Sequence, residues 1–358
     1  MSYFRIQGGK PLKGKVTILG SKNAAIKMIG ASILTSEPLV LSNVPEIEDV
    51  TVDLEVVKSL GVSVEKNRNE LRLCAQNIEK NKIPPGLSDK TRAAIITLGP
   101  LLARKGKVVL SSAGGCDIGK RPIDRHLDAL KQLGVEVICE GSVVRARVDR
   151  LKGGNIRFEK NTVMGTETAI LASVLAEGET RIYGAALEPE VDDLIALLRK
   201  MGANINRKED DPRQVIIEGV ESLNGAKHSV LPDRNEAVTY AVAAAATRGD
   251  VTLKNVQTED MTAFMRKLED AEVPYEVRGR SLRVWAEPSD SFLPVELETA
   301  PHPGFMTDWQ QPFSVILTQA EGESTIHETI FYNRLDYLFE LEKMGAEVEV
   351  LTPSEAGM

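Results

Sequence analysis

The sequence has little cysteine and histidine, the residues from which disulfide frameworks and zinc sites are built. Its 358 residues include three cysteines and four histidines. Cys74 and Cys139 fall in segments with strand-like alternation of apolar and polar residues, and no cysteine belongs to a CxxC pair or a metal-ligand cluster. This pattern excludes a disulfide-rich secreted domain and argues against a zinc site.

Long apolar runs are also missing. The first segment, MSYFRIQGGKPLKGK, has no apolar run of signal-peptide length, and no later segment offers the roughly 18 uninterrupted apolar residues of a membrane span. We therefore expect a cytoplasmic globular protein without a membrane partner. The formal net charge of −8 argues against a nucleic-acid partner, because nucleic acid favours a basic surface.

A repeat of about seventy residues organises the chain. Five segments each end in a helix, a Leu-Gly, Met-Gly or equivalent step, and then a strand. The markers of this step are Gly61, Gly134, Gly202, Glu272 and Gly345, at intervals of 73, 68, 70 and 73 residues. Since a chain of 358 residues exceeds one compact core, we expect two domains.

Each repeat also contains an earlier helix that is apolar nearly all round. These helices begin at Ala24, Arg92, Thr166, Glu236 and Phe313. A helix without a polar face is buried on every side, so we expect these five inside and amphipathic helices such as DLEVVKSL and VDDLIALLRK outside. The predicted α/β unit is strand, buried helix, strand, outer helix and hairpin, which fits neither a TIM barrel nor a doubly wound sheet.

Polar residues gather where four of the buried helices begin. They are Ser21 to Asn23, Lys90 and Arg92, Lys160 to Glu167, and Asp233 to Glu236. Helix N-termini carry unpaired N–H groups and partial positive charge, so these positions predict an anionic small-molecule ligand. The alternative is that the same residues are helix caps and solvated ends.

The stretch SSAGGCDIGKRPIDRH places Cys116 among glycines, with cations just downstream. The glycines predict a surface loop. Lys120, Arg121 and Arg125 would favour the thiolate and hold an anionic substrate beside the sulfur. A reactive cysteine is one interpretation, and a small apolar side chain in an ordinary turn is the other.

A further cluster, TAPHPGFMTDWQQ, occupies residues 299–311. Its prolines predict a rigid loop that delivers Asp308 to the start of the fifth buried helix, where the carboxylate could act as a general base for a hydroxyl. Taken alone, Asp308 is better interpreted as the N-cap of that helix. Taken alone, Arg334 in FYNRLDYL is an ordinary exposed arginine.

Together these motifs resemble the UDP-N-acetylglucosamine enolpyruvyl transferases, and the resemblance covers the full length of the chain. The matching segments are GSKNAA at 20–25, the GGC loop with Arg121, Pro122, Asp124 and His126, ALEPE at 186–190, LPDR at 231–234, APHP at 300–303 with Thr307 and Asp308, and Asn333 with Arg334. The related family that makes enolpyruvylshikimate phosphate shares the repeat but not the cysteine loop, so it is a weaker fit.

The resemblance implies an inside-out α/β barrel of repeated βαβαββ units, arranged as two domains that close on the substrates at their interface. A three-unit domain would span residues 21–230 and carry the Cys116 loop and most of the nucleotide-sugar site. Residues 1–20 and 231–358 would form a second, incomplete domain with two of three units.

The resemblance also implies a reaction and its residues. The enolpyruvyl group of phosphoenolpyruvate would pass to the 3′-hydroxyl of UDP-N-acetylglucosamine, with release of phosphate and without a metal or organic cofactor. Cys116 would be the general acid, Asp308 would accept the hydroxyl proton, and Lys22 would complete the catalytic set. The implied substrate-binding residues are Lys22, Asn23, Arg92, Arg121, Pro122, Ile123, Asp124, Arg125, Lys160, Val163, Asp308, Ile330 and Arg334.

Three features depart from the family pattern. Glu48 stands where the family usually has lysine, and Val163 stands where a hydroxyl-bearing residue is common. The sequence also ends at Met358, inside the fifth unit, without the sixth unit and the two late arginines of its Asp-Leu-Arg and Asp-Arg-Gly motifs. The two missing arginines lead us to expect low turnover, and we interpret the chain as either a fragment of a full enzyme or a degenerate relative of one. The alternative is a non-catalytic protein that binds a nucleotide sugar.

Overall fold

The computed structural model describes residues 5, 7–111 and 123–352, except for the side chain of Ala93. The described residues divide into two compact units. The larger unit runs from Leu19 to Pro232, and the smaller unit combines the residues up to Ile18 with those from Asp233 onward. Each unit has its own hydrophobic core. Among the described residues, no helix is both long enough and apolar enough to cross a bilayer.

The larger unit contains seven α-helices and eleven strands among its described residues. Numbered along the chain, its helices are α1 (Lys22–Ala31), α2 (Glu48–Leu60), α3 (Pro85–Ser88), α4 (Leu98–Lys105), α5 (Asp124–Gln132), α6 (Val163–Ser173) and α7 (Pro189–Lys200). Its strands are β2 (Leu39–Ser42), β3 (Ser63–Asn67), β4 (Glu70–Cys74), β5 (Lys107–Leu110), β6 (Glu136–Glu140), β7 (Val143–Arg147), β8 (Asn155–Arg157), β9 (Glu179–Tyr183), β10 (Asn204–Lys208), β11 (Asp211–Glu218) and β12 (Ala226–Ser229).

The smaller unit contains the first strand of the chain and the elements after Asp233. Its helices are α8 (Arg234–Ala246), α9 (Thr262–Asp270), α10 (Gln310–Leu317) and α11 (Leu338–Glu342). Its strands are β1 (Lys13–Thr17), β13 (Asp250–Lys254), β14 (Tyr275–Arg278), β15 (Ser281–Trp285), β16 (Glu296–Glu298) and β17 (Thr325–His327). Short 3₁₀ turns occur at Ser32–Leu34, Ala93–Thr97 and Thr258–Met261.

The sheets confirm the predicted order of strand, buried helix, strand, outer helix and hairpin. In the third repeat β8 pairs in parallel with β9, and the sheet continues through β11 to β10 by antiparallel pairing. The first repeat has the same arrangement, β12–β2–β4–β3, but its parallel strand β12 comes from the end of the larger unit. In the smaller unit, β1 pairs in parallel with β13 and occupies the equivalent place.

The repeat markers share one backbone conformation. All five positions follow an outer helix and adopt a positive φ, which lets the chain reverse from helix to strand. Their φ angles are 110° at Gly61, 85° at Gly134, 99° at Gly202, 55° at Glu272 and 100° at Gly345. Glu272 therefore occupies the left-handed position that glycine fills in the other four repeats, and the equivalence predicted for it holds in the backbone.

The buried helices differ in how completely they are covered. Every residue of α6 from Gly165 to Ser173 is buried, as predicted for a helix without a polar face. The same prediction is wrong for α8, where Thr239 and Tyr240 are exposed. Helix α8 packs against β13, β15 and α10, and in the described part of the chain these neighbours cover only part of its circumference.

The strand predicted after Met344 is not formed. Helix α11 ends before Gly345, and residues 346–352 have no strand pairing in the part of the chain that the structure describes. A strand is defined by hydrogen bonds to a neighbour, and within the described residues none lies beside this segment.

Candidate active site

Lys22 is the first residue of α1, so this helix begins two residues earlier than the apolar pattern predicted. Ser21 occupies the N-cap position, but among the described residues its side chain makes no capping hydrogen bond. The Lys22 ammonium forms an ion pair with Asp49 at 2.9 Å, and both side chains are about half exposed. Asp49 lies in the first turn of α2, next to Glu48, which is exposed.

Three other predicted residues of the larger unit lie near the starts of α5 and α6. Arg125, in the first turn of α5, donates a hydrogen bond from its guanidinium to the carbonyl of Asn161 at 3.0 Å. Lys160 precedes Asn161 and is exposed, and Val163 begins α6. The N-cap of α6 is Thr162, whose hydroxyl accepts the N–H of Gly165.

The remaining predicted residues of this unit flank the same helices. Asn23 is the second residue of α1, Arg92 precedes the 3₁₀ turn at Ala93–Thr97, and Ile123 and Asp124 open α5. Arg92 and Arg125 both lie close enough to His126 to lower its pKa. Cys116, Arg121 and Pro122 lie outside the described residues.

A buried ion pair lies beneath the start of α1. The Lys27 ammonium donates to the carbonyl of Asn23 at 2.7 Å and lies 3.4 Å from a carboxylate oxygen of Glu167 on α6. Their side chains are 3% and 0% exposed. Neither oxygen of Glu167 accepts a well-formed hydrogen bond among the described residues, so the attraction is mainly electrostatic. Burial raises the pKa of Glu167 to about 7, although the Lys27 charge opposes the shift.

Two more buried titratable groups surround this pair. Asp53 accepts a hydrogen bond from the Thr91 hydroxyl at 2.9 Å, and burial raises the pKa of Asp53 to about 7. His126 shares a 2.9 Å hydrogen bond with the Thr168 hydroxyl, and its pKa falls to about 3 because burial and nearby cations oppose its protonation. His126 is therefore neutral at pH 7.

Sequence reasoning missed this charged network. A signal was available, because Lys27 interrupts the apolar run AAIKMIG and Glu167 interrupts GTETAIL. A charge inside a helix that is buried on all sides needs an opposite charge nearby. Two such helices with opposite charges therefore predict a buried pair.

Asp308 and Arg334 form an ion pair in the smaller unit. Helix α10 begins at Gln310 after the N-cap residue Trp309, so the interpretation of Asp308 as the helix cap is wrong. The Arg334 side chain is only 13% exposed, so its interpretation as an ordinary exposed arginine is wrong as well. Ile330, the third predicted residue of this unit, is 37% exposed.

Asp233 behaves as a helix cap. Its carboxylate accepts the backbone N–H groups of Asn235 and Glu236 at 2.8 and 3.1 Å, so the capping alternative holds at the start of α8. The next residue, Arg234, is 4% exposed, donates to the imidazole of His302 at 3.1 Å and lies over the ring of Trp309. This arginine thereby links α8 to the loop that precedes Asp308.

The two described cysteines lie in strands, as predicted. Cys74 ends β4, is half-buried and donates from its thiol to the carbonyl of Ser36 at 3.4 Å. Cys139 lies in β6 and is exposed. Cys139 is therefore the more accessible of these two thiols.

The known proteins that this chain resembles match it along almost its whole length. The model of the family described as EPSP synthase (3-phosphoshikimate 1-carboxyvinyltransferase) matches residues 6–355. The UDP-N-acetylglucosamine 1-carboxyvinyltransferase of Koribacter versatilis is 40% identical over 98% of this chain and 81% of its own length. The protein of that name from Paramagnetospirillum magneticum is 42% identical over 98% of this chain and 83% of its own.

Solved structures show the same fold. The enolpyruvyl transferase NikO from Streptomyces tendae superposes with a TM-score of 0.86 at 23% identity, covering 97% of this chain and 82% of that one. EPSP synthase from Acinetobacter baumannii superposes with a TM-score of 0.68 at 19% identity, covering 93% and 78% of the two chains. The predicted α/β architecture of repeated units is confirmed by these superpositions.

Proposed function

We propose that this chain transfers the enolpyruvyl group of phosphoenolpyruvate to the 3′-hydroxyl of UDP-N-acetylglucosamine. The reason is that the chain belongs to the UDP-N-acetylglucosamine 1-carboxyvinyltransferase family. The description of the matching family model names a different enzyme, 3-phosphoshikimate 1-carboxyvinyltransferase. That enzyme has the same repeated fold. Relatives at 40 to 42% identity carry the nucleotide-sugar name, and this likeness favours the nucleotide sugar as acceptor.

The reaction is an addition followed by an elimination. The sugar hydroxyl oxygen forms a bond to C2 of phosphoenolpyruvate while C3 gains a proton. The intermediate then loses phosphate from C2 and a proton from C3, which restores the double bond. In this proposal Cys116 donates the proton to C3, and Asp308 accepts the proton of the attacking hydroxyl.

Charge recognition supports the assignments in the larger unit. Lys22 begins α1, so its ammonium and the helix N-terminus offer positive charge in the same place. We assign Lys22 and Arg121 to phosphoenolpyruvate. The nucleotide sugar is assigned to Asn23, Arg92, Arg121, Pro122, Ile123, Asp124, Arg125, Asp308 and Ile330, with Lys160 and Val163 at its uridine diphosphate. Arg334 is assigned to substrate binding in general.

The observation that carries the proposal is the ion pair between Asp308 and Arg334. An aspartate just before a buried helix would most simply cap that helix, yet Asp308 forms an ion pair with Arg334, and Trp309 occupies the N-cap position. Arg334 is largely buried, so it holds the carboxylate at a defined place. A carboxylate held in this way suits a general base.

The proposed product belongs to the first committed step of peptidoglycan synthesis, which takes place in the cytoplasm. This placement rests on the family to which the chain belongs. The proposed reaction requires no metal or organic cofactor.

Phosphate release tests the proposal. We expect the chain to release phosphate from phosphoenolpyruvate when UDP-N-acetylglucosamine is present, and not when shikimate 3-phosphate replaces it. Asp308→Asn should lower kcat by about 100- to 10,000-fold, the usual range for a lost general base. Asp336→Asn, an exposed aspartate of the same unit, is the matched control. Equal rates with both acceptors would contradict the assigned substrate.

Thiol labelling tests the role of Cys116. Iodoacetamide should modify Cys116 first, the exposed Cys139 second and the half-buried Cys74 last. A thiol activated by the neighbouring cations reacts faster than one that is merely accessible. Labelling of Cys139 ahead of Cys116 would remove the reason for assigning Cys116 as the acid.

A further inference from the structure

Glu328 joins two segments that carry proposed site residues. It follows β17 directly, and its Oε1 atom accepts the backbone N–H groups of Ile330 and Phe331 at 2.8 and 2.9 Å. Its Oε2 atom accepts the Thr307 hydroxyl at 2.8 Å and the Gln310 side-chain amide at 3.3 Å. One carboxylate thus connects residues on both sides of Asp308 to the segment that begins at Ile330.

Gln310 extends the connection to Arg334. This side chain is fully buried, and its amide nitrogen also lies 3.4 Å from the carbonyl of Arg334, to which it donates. Its amide oxygen accepts the Tyr337 hydroxyl at 2.7 Å. Gln310 is therefore held by Glu328, Arg334 and Tyr337 together, and it fixes the start of α10 two residues after Asp308.

The guanidinium of Arg334 is fixed by a second acceptor. The amide of Gln311, oriented by its hydrogen-bond partners, accepts from Nε of Arg334 at 2.7 Å and donates to the carbonyl of Thr307 at 3.1 Å. The Nη2 atom of the same guanidinium donates to the carboxylate of Asp308. Arg334 therefore approaches Asp308 from one direction, set by the same loop that Glu328 holds.

We propose that Glu328 is a positioning residue for the transfer reaction, holding the general base Asp308 and the nucleotide-sugar residue Ile330 in one arrangement. This inference rests on the proposed function and adds to it a residue outside the set assigned to substrate. An ionised carboxylate only accepts hydrogen bonds, and it can take four of them, which is the number of donors to Glu328 among the described residues. Bonds to an ionised acceptor are also stronger than neutral ones.

Glutamine cannot replace Glu328 without loss. Its side chain has almost the same shape but only one acceptor oxygen, and its amide nitrogen would face hydrogen-bond donors. Depending on the amide orientation, either the Ile330–Phe331 pair or the Thr307–Gln310 pair would lose its acceptor. Aspartate retains both acceptors, but it is shorter by one methylene and should restore part of the function.

The experiment compares E328Q and E328D with the control E298Q in the full chain. Glu298 ends the neighbouring strand β16, is largely exposed and accepts a hydrogen bond from His327 at 3.0 Å. We expect E328Q to lower kcat by about 10- to 100-fold, the size of effect that a small misplacement of a reacting group produces. It should raise the KM for UDP-N-acetylglucosamine and leave the KM for phosphoenolpyruvate unchanged. The kcat and KM of E328D should lie between those of E328Q and the unaltered chain. The kcat and KM of E298Q should equal those of the unaltered chain.

Amide hydrogen exchange at Ile330 and Phe331 supplies a readout that does not depend on activity. Faster exchange at these two amides in E328Q, together with the selective change in KM, supports the positioning role. A purely structural defect would lower the folded fraction without changing one KM alone. Unchanged kcat and KM values in E328Q would overturn the inference even if exchange increases. An unaltered chain that transfers nothing would instead overturn the proposed function, and with it the catalytic purpose of Glu328.

Discussion

The larger and smaller units hold their proposed site residues in place by different means. In the larger unit, Lys27 and Glu167 face each other in the interior beneath Lys22 and Asn23, with almost no hydrogen-bond support for the carboxylate among the described residues. In the smaller unit, Glu328 lies nearer the surface, and its carboxylate accepts hydrogen bonds from four donors in the part of the chain that the structure describes. One region depends on opposite buried charges, and the other depends on directed hydrogen bonds.

The difference predicts different sensitivities. Where charges are buried, the free energy of unfolding changes strongly when a partner is lost or the pH is changed. The reason is that desolvation increases the energetic effect of every change in charge. A network of directed hydrogen bonds responds to changes in shape, even when the charge is retained. Three measurements sharpen or break this contrast, in order of decreasing expected effect.

The largest effect is expected from Lys27→Met. This change leaves Glu167 buried without its cation, and removal of one partner of a buried pair typically costs about 3 to 5 kcal/mol of unfolding free energy. Urea denaturation at pH 7.5 measures the loss. Protonation of Glu167 should offset part of it at low pH, because burial has already raised the pKa of that carboxyl to about 7.

Lys66→Met is the matched control for this prediction. Lys66 pairs with Glu46 at 3.3 Å on the surface of the same unit, with side chains 40% and 60% exposed. An exposed pair of this kind contributes about 0 to 1 kcal/mol. Equal destabilisation by the two substitutions would remove the distinction between the buried network and an ordinary surface pair.

Arg334→Lys should have a smaller effect, mainly on activity. Lysine retains the positive charge beside Asp308 but loses the planar fork that reaches both Asp308 and Gln311. We expect kcat to fall by about tenfold, which corresponds to roughly 1.4 kcal/mol, while the unfolding free energy falls by less than in Lys27→Met because the positive charge is retained. Full activity in this variant would show that charge alone is sufficient in the smaller unit.

The smallest effect, counted per pH unit, is expected in the pH dependence of stability. Glu167 ordinarily has a pKa of 4.5 and has a pKa of about 7 in the folded chain, where it faces Lys27, Glu188 and Glu190. Between these values the folded state binds a proton that the unfolded state has lost, so this group makes stability fall as pH rises, by at most about 1.4 kcal/mol per pH unit. Glu167→Gln should remove that contribution.

The test is the difference in unfolding free energy between E167Q and the unaltered chain, measured from pH 5 to 8. Asp53→Asn should change the slope in the same direction, because the pKa of Asp53 is also raised to about 7. His126→Gln should change it in the opposite direction below pH 6.5, since the lowered pKa of His126 makes stability rise with pH. A difference that does not vary with pH would contradict the raised pKa of Glu167.

The sequence predicts the architecture well because each repeat carries its own local signals. The step at Gly61, Gly134, Gly202 and Gly345 requires a positive φ, and this constraint is visible in the residue type. Glu272 is recognisable only from its spacing, since its side chain gives no such indication. Apolar helices such as α6 were equally clear, whereas the exposure of Tyr240 on α8 depends on which neighbours pack there.

The side-chain networks were harder to predict because they join distant parts of the chain. Asp308 and Arg334 are 26 residues apart, and neither has a local pattern that indicates the other. Capping was the better local interpretation of Asp308, and tertiary pairing overrode it. Lys27 and Glu167 are farther apart still, although a charge within each apolar helix was a usable signal. Glu328 had no signal in its neighbourhood, because two of its four donors are backbone N–H groups.

Transfer in deuterium oxide tests the central claim most directly. The chain is incubated with unlabelled phosphoenolpyruvate and UDP-N-acetylglucosamine, and the nucleotide-sugar fraction is examined by mass spectrometry. The proposed chemistry predicts a product heavier by one enolpyruvyl group, with deuterium in its methylene, because a solvent-derived deuteron joins C3 before one hydrogen of that carbon is lost. A product without deuterium would contradict the addition and elimination, and the absence of any enolpyruvyl nucleotide sugar would contradict the transfer itself.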